Sequence, residues 1–381
     1  MIKGQDIICI STSDWERPWG SRQQIMSRLS KDNRVLFVEY QDSLLHIFKR
    51  RGSTFKSLRR RLREVSNNLF VYKPLVNLPF RYYNRQVNLL NQKFLIWQLK
   101  YLCRKLDFRK IILWIFEPTS FSLPGSLGEK VSIYHCIDFF KNEKDSLLRK
   151  KCIEEMEDRL SEKCGILLVS AETLLEDKKR LNLNIFLAPS AANESFLDTG
   201  IVSFAVSEEI KKIPGPRIGF VGTIDNRIDL ELVNHIASDK DYSIVFIGNC
   251  VDARIEKQLK KMDNIYMLGW KGNNYLPGYI KSFNVCIIPY KVNDFTKGIS
   301  SIKLYEYLAM GKPVVSTNFS NLEDLKGLIR ISNTKEDFIR DISASLLENN
   351  EELTAERVAF AYKNSWQTRL RMVSELISRK L

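Results

Sequence analysis

Short apolar runs, many of them β-branched, recur along this chain with amphipathic stretches between them, and that alternation limits the folds open to it. The first half holds DIICI (6–10), RVLFVEY (34–40), LFVYKP (69–74), KIILWIF (110–116), VSIYHC (131–136), GILLVS (165–170) and NIFLAP (184–189). These runs are continuous rather than alternating, so each strand is expected to be covered on both faces, as in a parallel sheet. Stretches such as RQQIMSRLS between them carry helical periodicity. After the turn-rich Ile213-Pro214-Gly215-Pro216 the pattern restarts: RIGFVG (217–222), SIVFIG (243–248), NIYMLG (264–269), NVCIIP (284–289), PVVST (313–317) and LIRIS (328–332). Two doubly wound α/β units in tandem are expected, residues 1–212 and 213–363. Ligands of such sheets bind beyond the carboxyl ends of the strands, and two such edges facing each other would frame a cleft.

Charge adds a second constraint. The formal net charge is +14, and KRRGSTFKSLRRRLR (49–63) alone supplies eight basic residues and no acid. Phe80, Tyr82, Tyr83, Phe94 and Trp97 follow, mixed with Arg81, Arg85 and Lys93. Nucleic acid, an anionic membrane surface and a solvated helix face are the competing readings. The aromatics favour the membrane surface, which attracts about 1 kcal/mol per nearby basic residue. No nucleic-acid motif is present, so no nucleic-acid partner is expected. No signal peptide or spanning stretch is read in the chain, and the protein is expected to be cytoplasmic, peripheral on the inner face of the cytoplasmic membrane. The seven cysteines are scattered without C-x-x-C spacing, which fits reduced thiols.

The densest chemical signal is NVCIIPYKVNDFTKGISSIKLYEYLAMGKPVVST (284–317). A strand ends near Pro289, and a polar loop runs to Gly298, Ser300 and Ser301. A helix then carries Lys303 and Glu306. Small residues at a helix N-terminus let backbone N–H groups approach an anion, and the helix dipole favours negative charge there. Lys303 adds a point charge for a phosphate, and the Glu306 carboxylate suits the two hydroxyls of a ribose. Asp239-Lys240-Asp241 has a metal-site spacing but precedes a strand rather than leaving one, so no metal is expected.

This segment resembles the donor-binding region of the retaining GT-B glycosyltransferases of the group 1 (family-four-like) class. Glu306, Ala309, Gly311, Pro313, Val314 and Val315 match E-x-x-A-x-G-x-P-V-V. The class has a second glutamate eight residues earlier, where this chain has Gly298. In that it is similar to a surface-polysaccharide subgroup reading N-x-F-T…K-L-x-E-Y-L-A-x-G-K-P-V-V-S-T. The resemblance implies a GT-B fold of two Rossmann-like domains, with the helix 364–381 packing back on the first. It implies that the C-terminal domain holds a nucleotide diphosphate sugar: Gly222, Thr223 and Arg227 beside the diphosphate, Trp270 and Lys271 at the base, Ser300, Ser301 and Lys303 at the phosphates, and Glu306 on the ribose. The loop STSDWERPWGSRQQ (11–24) follows the subgroup's W-x-x-P-W-G-x-R-Q-Q pattern. It brings Gly20 to the donor, with Trp15, Trp19 and Arg22 on the acceptor side. His135 and Asp138, in YHCIDFF, close another strand toward the acceptor.

The implied activity is transfer of a sugar to a saccharide or lipid-linked saccharide acceptor in surface-polysaccharide biosynthesis. Asp138, Arg227 and Lys303 are the catalytic candidates. No cofactor beyond the nucleotide sugar is implied. Retention of configuration follows from the resemblance, and a front-face mechanism from the lack of an obvious nucleophile. The alternatives are a nucleotide-sugar epimerase of the same fold, a non-catalytic GT-B scaffold and a basic nucleic-acid-binding protein. The sugar, the base and the oligomeric state stay open.

Overall fold

A computed structural model describes residues 1–17, 19–44, 61–140, 146–197, 207–348 and 350–381. Most of the basic segment 49–63 therefore lies outside the described residues. The chain divides into two compact units, Met1–Pro189 with Arg369–Leu381, and Ser190–Thr368.

In the first unit β1 (Asp6–Ile10) leads through α1 (Ser21–Leu29) to β2 (Arg34–Val38). β3 (Leu62–Ser66) and β4 (Leu69–Tyr72) precede the long α2 (Arg85–Lys105), then β5 (Ile111–Ile115) and β6 (Val131–Cys136). α3 (Leu147–Lys163), β7 (Ile166–Val169), α4 (Glu172–Lys178) and β8 (Ile185–Leu187) complete it. The strand order is β3-β4-β2-β1-β5-β6-β7-β8. All pairs are parallel except β3 with β4. β1, β5 and β6 are buried along their whole length, as continuous apolar runs require. The order reverses between β1 and β5, so the crevice of this sheet opens at their carboxyl ends.

β3 was not foreseen. LREVS has no apolar alternation, and the strand lies at the sheet edge with its last three residues exposed. Edge strands with charged side chains carry little burial signal, because only one side of the ladder is satisfied by the fold.

The second unit begins earlier than residue 213. Ala192, Phe196 and Ile210 are buried in the same core as Ile218 and Phe220, so the division falls at Pro189–Ser190. After the short α5 (Glu208–Lys211) come β9 (Arg217–Val221), α6 (Leu230–Ala237), β10 (Ser243–Ile247), α7 (Ala253–Leu259) and β11 (Ile265–Met267). Then follow α8 (Leu276–Lys281), β12 (Val285–Ile288), α9 (Asp294–Lys297), α10 (Ile302–Ala309) and β13 (Val314–Thr317). β14 (Arg330–Ser332), α11 (Lys335–Leu346), α12 (Glu351–Lys363) and α13 (Trp366–Ser378) end the chain. The parallel sheet has the order β11-β10-β9-β12-β13-β14, reversing between β9 and β12.

At that reversal the two strands part. β9 pairs with β12 only at Ile218 and Gly219, while it pairs with β10 over five residues. Phe283 sits against Gly219, where an added Cβ would lie 2.0 Å from its ring. Beyond this point the Val221 N–H, with no strand partner on that side, donates to the Tyr307 hydroxyl of α10 at 2.7 Å. The split leaves an opening at the carboxyl edge and satisfies a buried donor at the same time.

Candidate functional site

In the second unit three of the predicted residues, Gly222, Arg227 and Lys303, meet at this split. Gly222 follows β9 with φ +140, and Gly248 follows β10 with φ +143, conformations that only glycine adopts readily. The Gly222 N–H donates to the Ile247 carbonyl at 2.7 Å, and that of Gly248 to the Gly269 carbonyl at 2.8 Å. A Cβ on Gly248 would sit 2.0 Å from the Gly222 carbonyl oxygen. The rim is therefore bare backbone. Thr223 is half-buried beside it.

Lys303 extends from the first turn of α10 across Gly222, close enough that a Cβ there would meet its Cε at 2.0 Å. Its Nζ donates to the Tyr290 hydroxyl at 2.8 Å and lies 5.3 Å from the centre of the Phe220 ring. Arg227 reaches the same Tyr290 ring at 5.5 Å. The main chain fixes this meeting: Ile228 bridges to Tyr290, and the Lys291 N–H donates to the Arg227 carbonyl at 2.8 Å. The Arg227 guanidinium is also held by Asp225, Nε to Oδ1 at 2.8 Å and Nη2 to Oδ2 at 2.7 Å. Asp225 offsets much of that charge, whereas Lys303 donates to a phenol hydroxyl rather than to a carboxylate. Tyr290 itself was missed by sequence reasoning. It looked like the end of a buried run, and only its hydroxyl partner reveals its role.

Ser301 is the N-cap of α10, and no side chain caps the helix. Its own hydroxyl is buried and has no hydrogen-bond partner. The orphan N–H groups of the first turn and this hydroxyl suit an anion. Ser300 is committed otherwise: its hydroxyl accepts from the Ser190 N–H at 2.9 Å, and its carbonyl accepts from the Ser190 hydroxyl at 2.7 Å. Glu306, one turn past Lys303, has its carboxyl pushed by burial up to about 7, with Lys303 pulling the other way. Among the described residues no side chain or backbone donor bonds to that carboxyl.

Trp270 is 55% exposed after β11, open to stack on a flat ligand. Lys271 is engaged elsewhere. Its Nζ pairs with Glu209 at 2.7 Å and lies 5.6 Å from the Tyr279 ring centre, so it braces α5 against α8. Asp239 and Asp241 stand before β10, and the Asp239 carboxylate accepts from the Asp241 N–H at 2.9 Å.

The first unit gathers a second group at the carboxyl ends of β1, β5 and β6. The loop after β1 is closed by Gln23, which accepts from the Gly20 N–H at 3.2 Å and donates to the Asp14 carbonyl at 3.1 Å. Gly20 caps α1. Trp15 is only 4% exposed, packed edge-on against Phe37 at 5.0 Å and against Trp19 at 5.3 Å. It is a packing residue rather than half of an aromatic platform. Trp19, at 39%, keeps an open face. Arg22 lies over the Phe116 ring at 5.7 Å, with Nε buried and unpartnered. Burial lowers its pKa, opposed first by the Asp138 carboxylate. His135 stacks on the Phe116 ring, 5.0 Å between centroids, and its Nδ1 is buried without a partner. Burial pushes this imidazole down to about 3, so it is neutral at pH 7 and offers hydrogen bonds rather than charge. Asp138 follows β6, half-buried. Arg22, His135 and Asp138 thus form one cluster. Glu117 also acts on the Arg22 charge, after Asp138, but its own hydrogen bond and ion pair go elsewhere. It accepts from the Thr119 hydroxyl at 2.8 Å and pairs with Arg81 at 3.6 Å.

The family described as "Glycosyl transferases group 1" matches residues 215–349. A Bacillus subtilis (strain 168) protein named for a teichuronic acid biosynthesis glycosyltransferase, TuaH, is 27% identical over 112 residues. That alignment spans 29% of this chain and 28% of the relative's length. Sucrose-phosphate synthase from Thermosynechococcus elongatus superposes with a TM-score of 0.73 at 14% identity, covering 98% of each chain. HepE from Anabaena, solved in complex with UDP, gives 0.66 at 9% identity, covering 99% of this chain and 100% of that one. Residues 215–349 therefore match the glycosyl transferases group 1 family, in a chain with the fold of the GT-B glycosyltransferases.

Proposed function

We propose that this chain transfers a sugar from a nucleoside diphosphate sugar to a saccharide acceptor in surface-polysaccharide biosynthesis. The observation that carries the reading is the rim of the second unit, where Lys303, from the helix that starts uncapped and also bears Glu306, crosses the bare backbone of Gly222. As the glycosidic bond to the donor breaks, the diphosphate gains charge. Lys303, the Ser301 end of α10 and, behind Asp225, Arg227 stabilise it. No metal is needed in this reading, because fixed cations and helix N–H groups take the charge. Glu306 accepts from the ribose, and Trp270 stacks on the base. The UDP bound to HepE supports a uridine nucleotide.

In the first unit Trp19, Arg22, His135 and Asp138 hold the acceptor, read as a lipid-linked saccharide. Asp138 is the candidate base. No enzymic nucleophile stands among these residues, which favours front-face transfer with retention. The product's anomeric configuration tests that step, and inversion would exclude it. The donor site is tested by calorimetric titration with UDP, GDP and ADP. Selective binding of one, lost in Glu306→Ala, is expected. Binding of none would reject the donor reading.

A further inference from the structure

Helix α2 is apolar on its outward face as well as its inward one. Its inward face carries Asn88, Asn91, Gln92 and Gln98 beside Leu95, Leu99, Leu102 and Cys103. Each of these amides makes at least one hydrogen bond, though the Gln92 Nε2 is left without a partner: Asn88 donates to the Thr119 carbonyl at 2.8 Å, and Gln98 accepts from the Tyr72 hydroxyl at 2.8 Å. The outward face carries Leu90 (55% exposed), Phe94 (41%), Trp97 (63%) and Tyr101 (62%). Steps of four, three and four residues put them in one stripe. Phe94 and Trp97 stack with centroids 5.7 Å apart.

The charges on this helix have one sign. Lys93, Lys100 and Arg104 run along one flank of the stripe and Lys105 along the other, and α2 contains no Asp or Glu. Ordinary surface helices bury the apolar stripe and expose the amides. Here water faces the apolar stripe, which needs a partner of low polarity ringed by negative charge.

We propose that the outward face of α2 is a docking surface for an anionic lipid membrane. Leu90 and Phe94 enter the boundary of the acyl region, and Trp97 and Tyr101 sit at headgroup depth, where amphipathic rings are favoured. Lys93, Lys100 and Arg104 extend to the phosphates. A groove beside the stripe, lined by Trp97, Tyr101, Leu62 and Leu75 with Arg61 and Lys105, continues the same chemistry. A second copy of this face is a poor occupant, since a two-fold contact sets the same cations against each other. The proposal stands independently of the donor site.

The test is flotation of the full chain with vesicles of phosphatidylcholine, with and without phosphatidylglycerol. Binding is expected only to the anionic vesicles and falls with salt. Each removed cation weakens it about fivefold, so Lys93→Glu with Lys100→Glu loses more than about twentyfold. Phe94→Ser with Trp97→Ser also lowers it. Both pairs are exposed, and unchanged circular dichroism and melting temperature confirm their folding. Vesicle binding undiminished in both variants overturns the assignment to α2. Equal binding to phosphatidylcholine alone overturns the anionic partner. Salt-sensitive binding to a single-stranded oligonucleotide without vesicle binding, or a dimer dissolved by the aromatic variant, overturns the proposal in favour of those partners.

Discussion

The Lys303 ammonium donates to the Tyr290 hydroxyl at 2.8 Å, and Arg227 lies against the same ring. One buried phenol thus sets the position of two cations. Tyr290→Phe keeps the ring and removes the acceptor. A hydrogen bond of this kind is worth about 0.5–1.5 kcal/mol net, so nucleoside diphosphate affinity is expected to fall about two- to tenfold. Calorimetry measures it. A lowered melting temperature with unchanged affinity would make Tyr290 a packing residue only.

The two rim glycines predict different failures. In Gly222→Ala the new methyl meets the end of the Lys303 side chain, which can swing away at the loss of its bond to Tyr290. In Gly248→Ala it meets the Gly222 carbonyl, which cannot. Both also carry a backbone cost of about 1–3 kcal/mol. Gly248→Ala is expected to melt lower than Gly222→Ala. Any Gly222→Ala protein that folds binds nucleotide more weakly than its stability loss explains. Thermal melts alongside titrations separate the two.

Glu306 predicts a pH signature. Its folded pKa is about 7 against an ordinary 4.5. Between those values the folded state binds more protons than the unfolded one, so stability falls as pH rises through that window and levels off above it. Urea unfolding at pH 5 and pH 8 is expected to show this slope in the native protein and a shallower one in Glu306→Gln. Ribose hydroxyls donate best to the ionised carboxylate, so nucleotide affinity rises through about pH 7, more steeply than in the variant, where only the terminal phosphate of the nucleotide, with a pKa of about 6, still titrates.

Away from the site, Lys178 and Glu157 form a buried pair at 3.3 Å, and Tyr134 donates to the same carboxylate at 2.6 Å. Lys178→Met strands that carboxylate and is expected to cost about 3–5 kcal/mol, roughly 10 °C in melting temperature. Adding Glu157→Gln recovers most of it. A single variant as stable as the parent would show the pair to be dispensable.

The sheet was readable because its strands are buried on both faces: VSIYHC was expected at 131–136, and β6 spans Val131–Cys136. LREVS was not, since an exposed edge strand leaves its burial unwritten. Lys303 and Glu306 were singled out at the start of one helix and by the resemblance there, and both lie on α10. What spacing cannot carry is a partner from another element. Lys271 promised a base contact but pairs with Glu209, and Arg227 comes with Asp225 two residues away. Trp15 looked like a loop aromatic, and only its packing on Phe37 hides it. The outward stripe of α2 was visible as composition but not as a face, because its buried amides mimic a solvent side.

The bond from Val221 to Tyr307 has a mechanical meaning. It rivets the helix bearing Lys303 and Glu306 to the strand that ends at Gly222. Pulling them apart would strand a buried amide, so this rim behaves as a fixed seat and not as a hinge. A ligand arriving there meets a shape already set, and its binding is not diminished by the entropy of assembling one.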